Sequence, residues 1–88
     1  MITIVDAKFA DRSAVITVEG RTPQDVQSLQ AKELVMQKAA ERLSSPGFEA
    51  LPPAYPVDSD GKYDEDLLLG IRQGVAAFRA DYKVNGNY

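Results

Sequence analysis

Eighty-eight residues without a single cysteine or histidine must fold with neither a disulfide nor the usual metal ligands to staple them. A chain of this length withdraws only about 60–65% of its extended surface from water, so its core is thin. Ideal helix packing or a partner chain are the remaining supports for so small a domain. The length sets one domain, residues 1–88.

The same absences narrow the chemistry. Tryptophan is missing as well, and most acid–base or nucleophilic chemistry near neutral pH leans on an imidazole or a thiolate. Carboxylates, Lys, Arg, Tyr, Ser and Thr remain, and the sequence gathers none of them into a catalytic pattern. The expectation is a non-enzymatic protein with no cofactor and no metal. A net charge of −3 and a pI of ≈ 4.8 disfavour nucleic acid as a partner. Met1 to Val5 carry no basic flank, and no apolar run approaches the ~20 residues of a membrane helix. A cytoplasmic protein with no membrane contact is therefore expected.

The fold class read from the pattern is α+β: an N-terminal β-hairpin over 1–20, a long α-helix over 22–44, a Pro-rich crossing segment over 45–63 and a C-terminal amphipathic α-helix over 64–85. Ile2 to Phe9 is rich in β-branched residues, and simple alternation groups Thr3, Val5, Ala7 and Phe9 on one face. Ile2 and Ile4 then point the other way, which makes both faces of this strand apolar. Ala14 to Glu19 alternates likewise, after turn chemistry at Asp11 and Ser13. Two strands alone leave two open edges, so strand addition or a dimer edge is an alternative to simple coverage by a helix.

Thr22-Pro23-Gln24-Asp25 carries a cap, a first-turn proline and an acid at the positive helix end. The helix it opens runs to about Leu43, where Ser44-Ser45-Pro46-Gly47 stops it. Val26, Leu29, Met36, Ala39, Ala40 and Leu43 share one stripe, while Ala31, Leu34 and Val35 project elsewhere. A helix apolar on two sides is sandwiched or shared with another chain. Leu34 and Val35 are therefore candidate partner-binding residues.

From Pro46 to Pro56 the prolines rule out regular helix, yet Phe48, Leu51, Tyr55 and Val57 read as anchors, with a short strand over Phe48–Leu51 as an option. Pro52-Pro53-Ala54-Tyr55 matches the short motif bound by WW domains, and Tyr55 enters the candidate partner-binding set on that ground. Asp58, Asp60, Asp64, Glu65 and Asp66 form the acidic pole of the chain and complete that set. Asp58-Ser59-Asp60-Gly61 fails as a calcium loop, because the first and twelfth positions fall on Pro56 and Leu67.

Leu67, Leu68, Ile71, Val75, Phe78 and Tyr82 fall on one helical stripe, with Gly70 and Gly74 as notches for a close neighbour and Asn85-Gly86 as a left-handed stop. Arg72, Arg79 and Lys83 lie on the opposite side as a solvated basic face. These patterns point to an assembly protein acting as a homo-oligomer or a subunit of a larger complex. Val26, Leu29, Leu34, Val35, Met36, Phe78 and Tyr82 would carry the burial. A virion or mobile-element (phage) accessory component fits the size and simplicity. The alternative is an inhibitor or adaptor that binds one larger protein as a monomer through the acidic segment, in the manner of an anti-host or anti-defence factor.

Overall fold

A computed structural model describes residues 1–87. It is built on an antiparallel sheet of five strands rather than on two long helices. In chain order the elements are β1 Thr3–Phe9, β2 Ser13–Gly20, α1 Pro23–Val26, α2 Leu29–Ala39, β3 Ser44–Phe48, β4 Tyr55–Val57, α3 Glu65–Leu69 and β5 Ala77–Asn87. The sheet runs β1-β2-β5, and the far edge of β5 is shared by β4 at its start and β3 at its end. Pro46 and Pro56 sit in these two edge strands, where a missing N–H costs the ladder least.

The C-terminal helix over 64–85 is overturned. Its first residues form the short α3, Gly70 ends it in the left-handed conformation (φ 76°), and Ala77–Asn87 is strand. Phe78, Ala80, Tyr82 and Val84 alternate with Arg79, Asp81 and Lys83, which is the period of a strand with one face buried. Phe78 and Tyr82 are four residues apart, a spacing that both periods share. Gly70 and Gly74 are loop residues with positive φ, not helical notches. Gly86 is no left-handed stop either. A Cβ there would lie 2.7 Å from the Leu43 Cβ, so glycine permits close passage of the chain between α2 and β3.

The expected 22–44 helix is broken in two. Thr22 caps α1 by accepting the Asp25 N–H, and Ser28 then caps α2 by accepting the Ala31 N–H while donating to the Asp25 carbonyl. The break changes which side chains face the sheet. Ala31, Val35 and Ala39, four apart, lie with Val26 and Leu43 on Ala14, Ile16, Val18, Ala80, Tyr82 and Val84. Leu29, expected on the buried stripe, is 71% exposed. Tyr82 spans the layer: its ring lies 5.4 Å from that of Phe48 and its hydroxyl donates to the Val26 carbonyl at 2.6 Å.

The two-faced character of the first strand resolves into a β-bulge. Ile4 pairs with Val18 and Asp6 with Thr17, so Val5 is the extra residue. That one insertion brings Ile2, Ile4, Ala7 and Phe9 onto the core side together. The segment expected to cross as a Pro-rich connection supplies β3 and β4 instead, with the third strand starting at Ser44 rather than Phe48.

Candidate functional site

Between β4 and β5 the chain leaves the sheet over residues 58–76 and returns where the Ala76 N–H donates to the Val57 carbonyl at 2.9 Å. This excursion, the tip, is organised by polar groups. Asp58 folds its carboxylate back to accept the N–H groups of Asp60 and Lys62 at 2.9 and 3.0 Å, and Gly61 (φ 78°) makes the left-handed bend. Asp64 caps α3 by accepting the Leu67 N–H. After the Gly70 turn, Ile71 and Arg72 both donate their N–H groups to the Asp66 carbonyl.

Arg72 closes the unit. Its guanidinium reaches Asp64 Oδ2 twice, at 3.0 and 2.6 Å, and Asp58 Oδ2 at 3.3 Å. The backbone N–H groups of Lys62 and Asp60, and then the Arg72 guanidinium, hold the Asp58 carboxyl below its ordinary range. For Asp64 the Arg72 contact is the larger cause and the Leu67 N–H the next. Both carboxylates stay ionised to lower pH than free ones, so the ion pairs of the clamp persist further into acid.

Only Leu67 of the apolar residues on the tip is buried. Leu68, Leu69, Ile71 and Val75 stand 54%, 62%, 72% and 44% exposed. Scattered single apolar residues are ordinary on a surface, whereas here four large ones stand exposed within eight residues.

Beside the tip, Tyr55 joins it to the open face of the sheet. Its ring packs edge-on against Tyr63 at 5.5 Å, and its hydroxyl donates to Asp81 Oδ1 at 2.8 Å. Thr17 donates to the same oxygen at 2.7 Å, and Arg79 Nε pairs with Glu19 at 2.9 Å alongside. Burial, then the Asp81 contact, pushes the Tyr55 phenol up to about 12. A phenol held neutral and committed to a carboxylate is neither a base nor a nucleophile at neutral pH.

The expected partner-binding residues divide between body and tip. Val35 is fully buried under the sheet, which leaves it no surface for a partner, and Leu34 beside it is half-buried. Tyr55 is engaged by Asp81 and Pro52 is buried with its carbonyl bonded by Gln27, so the segment is not presented as a free extended ligand. Asp58 and Asp64 are drawn into the Arg72 clamp. Asp60, Glu65 and Asp66 are exposed on the tip. The basic face is likewise dispersed, with Arg72 in the clamp and Arg79 and Lys83 on β5. The helical stripe expected from the sequence includes Leu68, Ile71 and Val75 and passes over Leu69, whereas the tip shows all four outside. Gly70 and Gly74 among them were the signal of a turn.

Among the described residues no cluster of three or more acidic side chains is placed to hold a metal ion. No helix there is long and apolar enough to cross a membrane. No protein-family model matches the chain, and no characterised protein or solved structure is significantly similar to it.

Proposed function

We propose that this chain is a small non-enzymatic assembly protein, a homo-oligomer or a subunit of a larger complex, whose contact with another protein is the apolar end of the tip. The observation that carries this reading is the exposure of Leu68, Leu69, Ile71 and Val75 on a segment pinned by Arg72. Apolar groups on a mobile loop would collapse or cost entropy on binding; here the clamp has already fixed their backbone. The exposed acids Asp60, Glu65 and Asp66 belong to the same excursion and would supply the polar part of such a contact. A purely acidic contact by a monomeric inhibitor is supported less, since Asp58 and Asp64 already serve Arg72.

Photo-cross-linking in cells tests it, with the reactive residue placed in turn at Leu69, Ile71 and, as a control on α2, Gln37. The expected result is one discrete adduct from the two tip positions and none from Gln37. Equal labelling from all three, or adducts from Gln37 alone, would sink the reading.

A further inference from the structure

The free edge of β1 carries a pattern that fits one occupant, a second copy of the same strand. Among the described residues nothing pairs with β1 on the side away from β2. The Ala10 N–H donates to the Ser13 carbonyl, and alternation from that pair sends the N–H and C=O of Ala7 and Phe9 outward to the free edge. On the outer face of the sheet, Asp6 and Lys8 flank Ala7 with their charged groups 3.9 Å apart.

The core side of the same strand is also unfinished. α2 packs mainly over β2 rather than β1, and Ile4, Ala7 and Phe9 are only half-buried. An open groove of about 520 Å³ runs between them and the end of α2, lined there by Lys38, Glu41 and Arg42, the Arg42 guanidinium carbon lying 5.0 Å from the Phe9 ring centroid.

We propose that two copies pair their β1 strands antiparallel about a two-fold axis through Ala7, making one continuous sheet of ten strands. Ala7 faces its symmetry mate in a hydrogen-bonded pair. Each Asp6 then stands opposite the Lys8 of the other copy in the closer, non-hydrogen-bonded position, with Cα atoms about 4.5 Å apart. An isologous contact needs such self-complementarity, and Asp-Ala-Lys supplies it on one strand. A lysine alone would guard this edge against any strand. With Asp6 two residues away, it admits this partner in this register. The axis is normal to the sheet, so both α2 helices stay on the same side. Three strand spacings separate β2 from its mate, about 14 Å. Packed helices need 8–10 Å. The two helices therefore clear each other, and the space between them takes the half-buried Ile4 and Phe9 of both copies. This surface is separate from the tip, and either can fail without the other.

The test is the solution mass by sedimentation, over a concentration series from micromolar to near-millimolar, for the parent and four variants. The parent should dimerise. Lys8→Asp should weaken the dimer at least about tenfold by placing acids opposite each other, and Asp6→Lys should do the same with cations. The double exchange Asp6→Lys with Lys8→Asp should return the affinity to within about threefold of the parent, because the opposed signs are restored. Circular dichroism melts on each variant separate dissociation from unfolding. A parent that stays monomeric throughout overturns the proposal, as does a dimer indifferent to both single exchanges. A dimer lost only on Ile71→Asp would also overturn it, and would pass self-association to the tip.

Discussion

The body of the molecule and its tip are held together by opposite means. In the body, α1 and α2 lie on β2 and β5, and of the thirteen buried apolar side chains among the described residues all but Leu67 are there. The tip relies on Asp58, Asp64, Arg72 and two glycine turns around the single anchor Leu67. A layer fixed by apolar packing must turn its hydrophobic residues inward. A loop fixed by hydrogen bonds and an ion pair has its apolar residues to spare, and this one turns four of them outward. Polar scaffolding is thus what allows an 88-residue chain to display hydrophobic surface without losing its fold.

Truncation inside the body should break the comparison most visibly. Ile16 is fully buried at the centre of the sheet, and Ile16→Ala should cost about 2–5 kcal/mol in urea unfolding. Tyr82→Phe comes next. It keeps the ring against Phe48 and removes one hydroxyl, leaving the buried Val26 carbonyl without its 2.6 Å donor, so a loss of about 1–3 kcal/mol is expected. A neutral Tyr82→Phe would mean that the α1–β5 contact is not as dry as its burial implies.

The tip should answer to charge instead. Arg72→Ala is expected to speed hydrogen exchange at Leu67, Ile71 and Ala76 while β2 amides keep their protection. Acid should act in the same way. Asp58 and Asp64 have folded pKa values lowered below the ordinary 3.8, so their contribution is complete above about pH 4 and is lost as the pH falls through the lowered values. Exchange measured down that range should show the tip opening ahead of the sheet. Loss of β2 and tip protection together would show that the two regions are one cooperative unit.

Sequence pattern made the first half of the fold legible and the second half ambiguous, for reasons that lie in particular residues. The alternation in Ala14–Glu19 and the Thr22-Pro23 start have one physical reading each, and strand and helix stand there. The apparent two-sidedness of the first strand was a true signal with an unseen cause, the extra residue Val5. At the other end, Leu67 and Leu68 belong to a real helix start behind Asp64, and Phe78 and Tyr82 to a strand. Both sets fall on one 3.6-residue stripe by coincidence of spacing. Only Gly70 and Gly74 broke it, and glycine in a helix is unfavourable by about 1 kcal/mol without being forbidden. The acidic pole was visible in the sequence. That Arg72 would fold back to claim Asp58 and Asp64 was not, because the contact depends on the Gly70 turn.

The smallest effect expected is the sharpest on the contrast. Ile71 is 72% exposed, so Ile71→Asp removes little packing and adds a charge where water already reaches. Its backbone N–H still donates to Asp66, since the substitution leaves that bond in place. Unfolding free energy should therefore stay within about 0.5 kcal/mol of the parent, the range of an ordinary surface change. Cross-linking from Leu69 should nonetheless fall away, because a carboxylate at the centre of an apolar contact must be desolvated without a partner. A variant that kept both its stability and its adduct would leave the tip's apolar end without a contact role. One destabilised as much as Tyr82→Phe would place Ile71 in a packed core, and the division between a body built on burial and a tip built on charge would have to be redrawn.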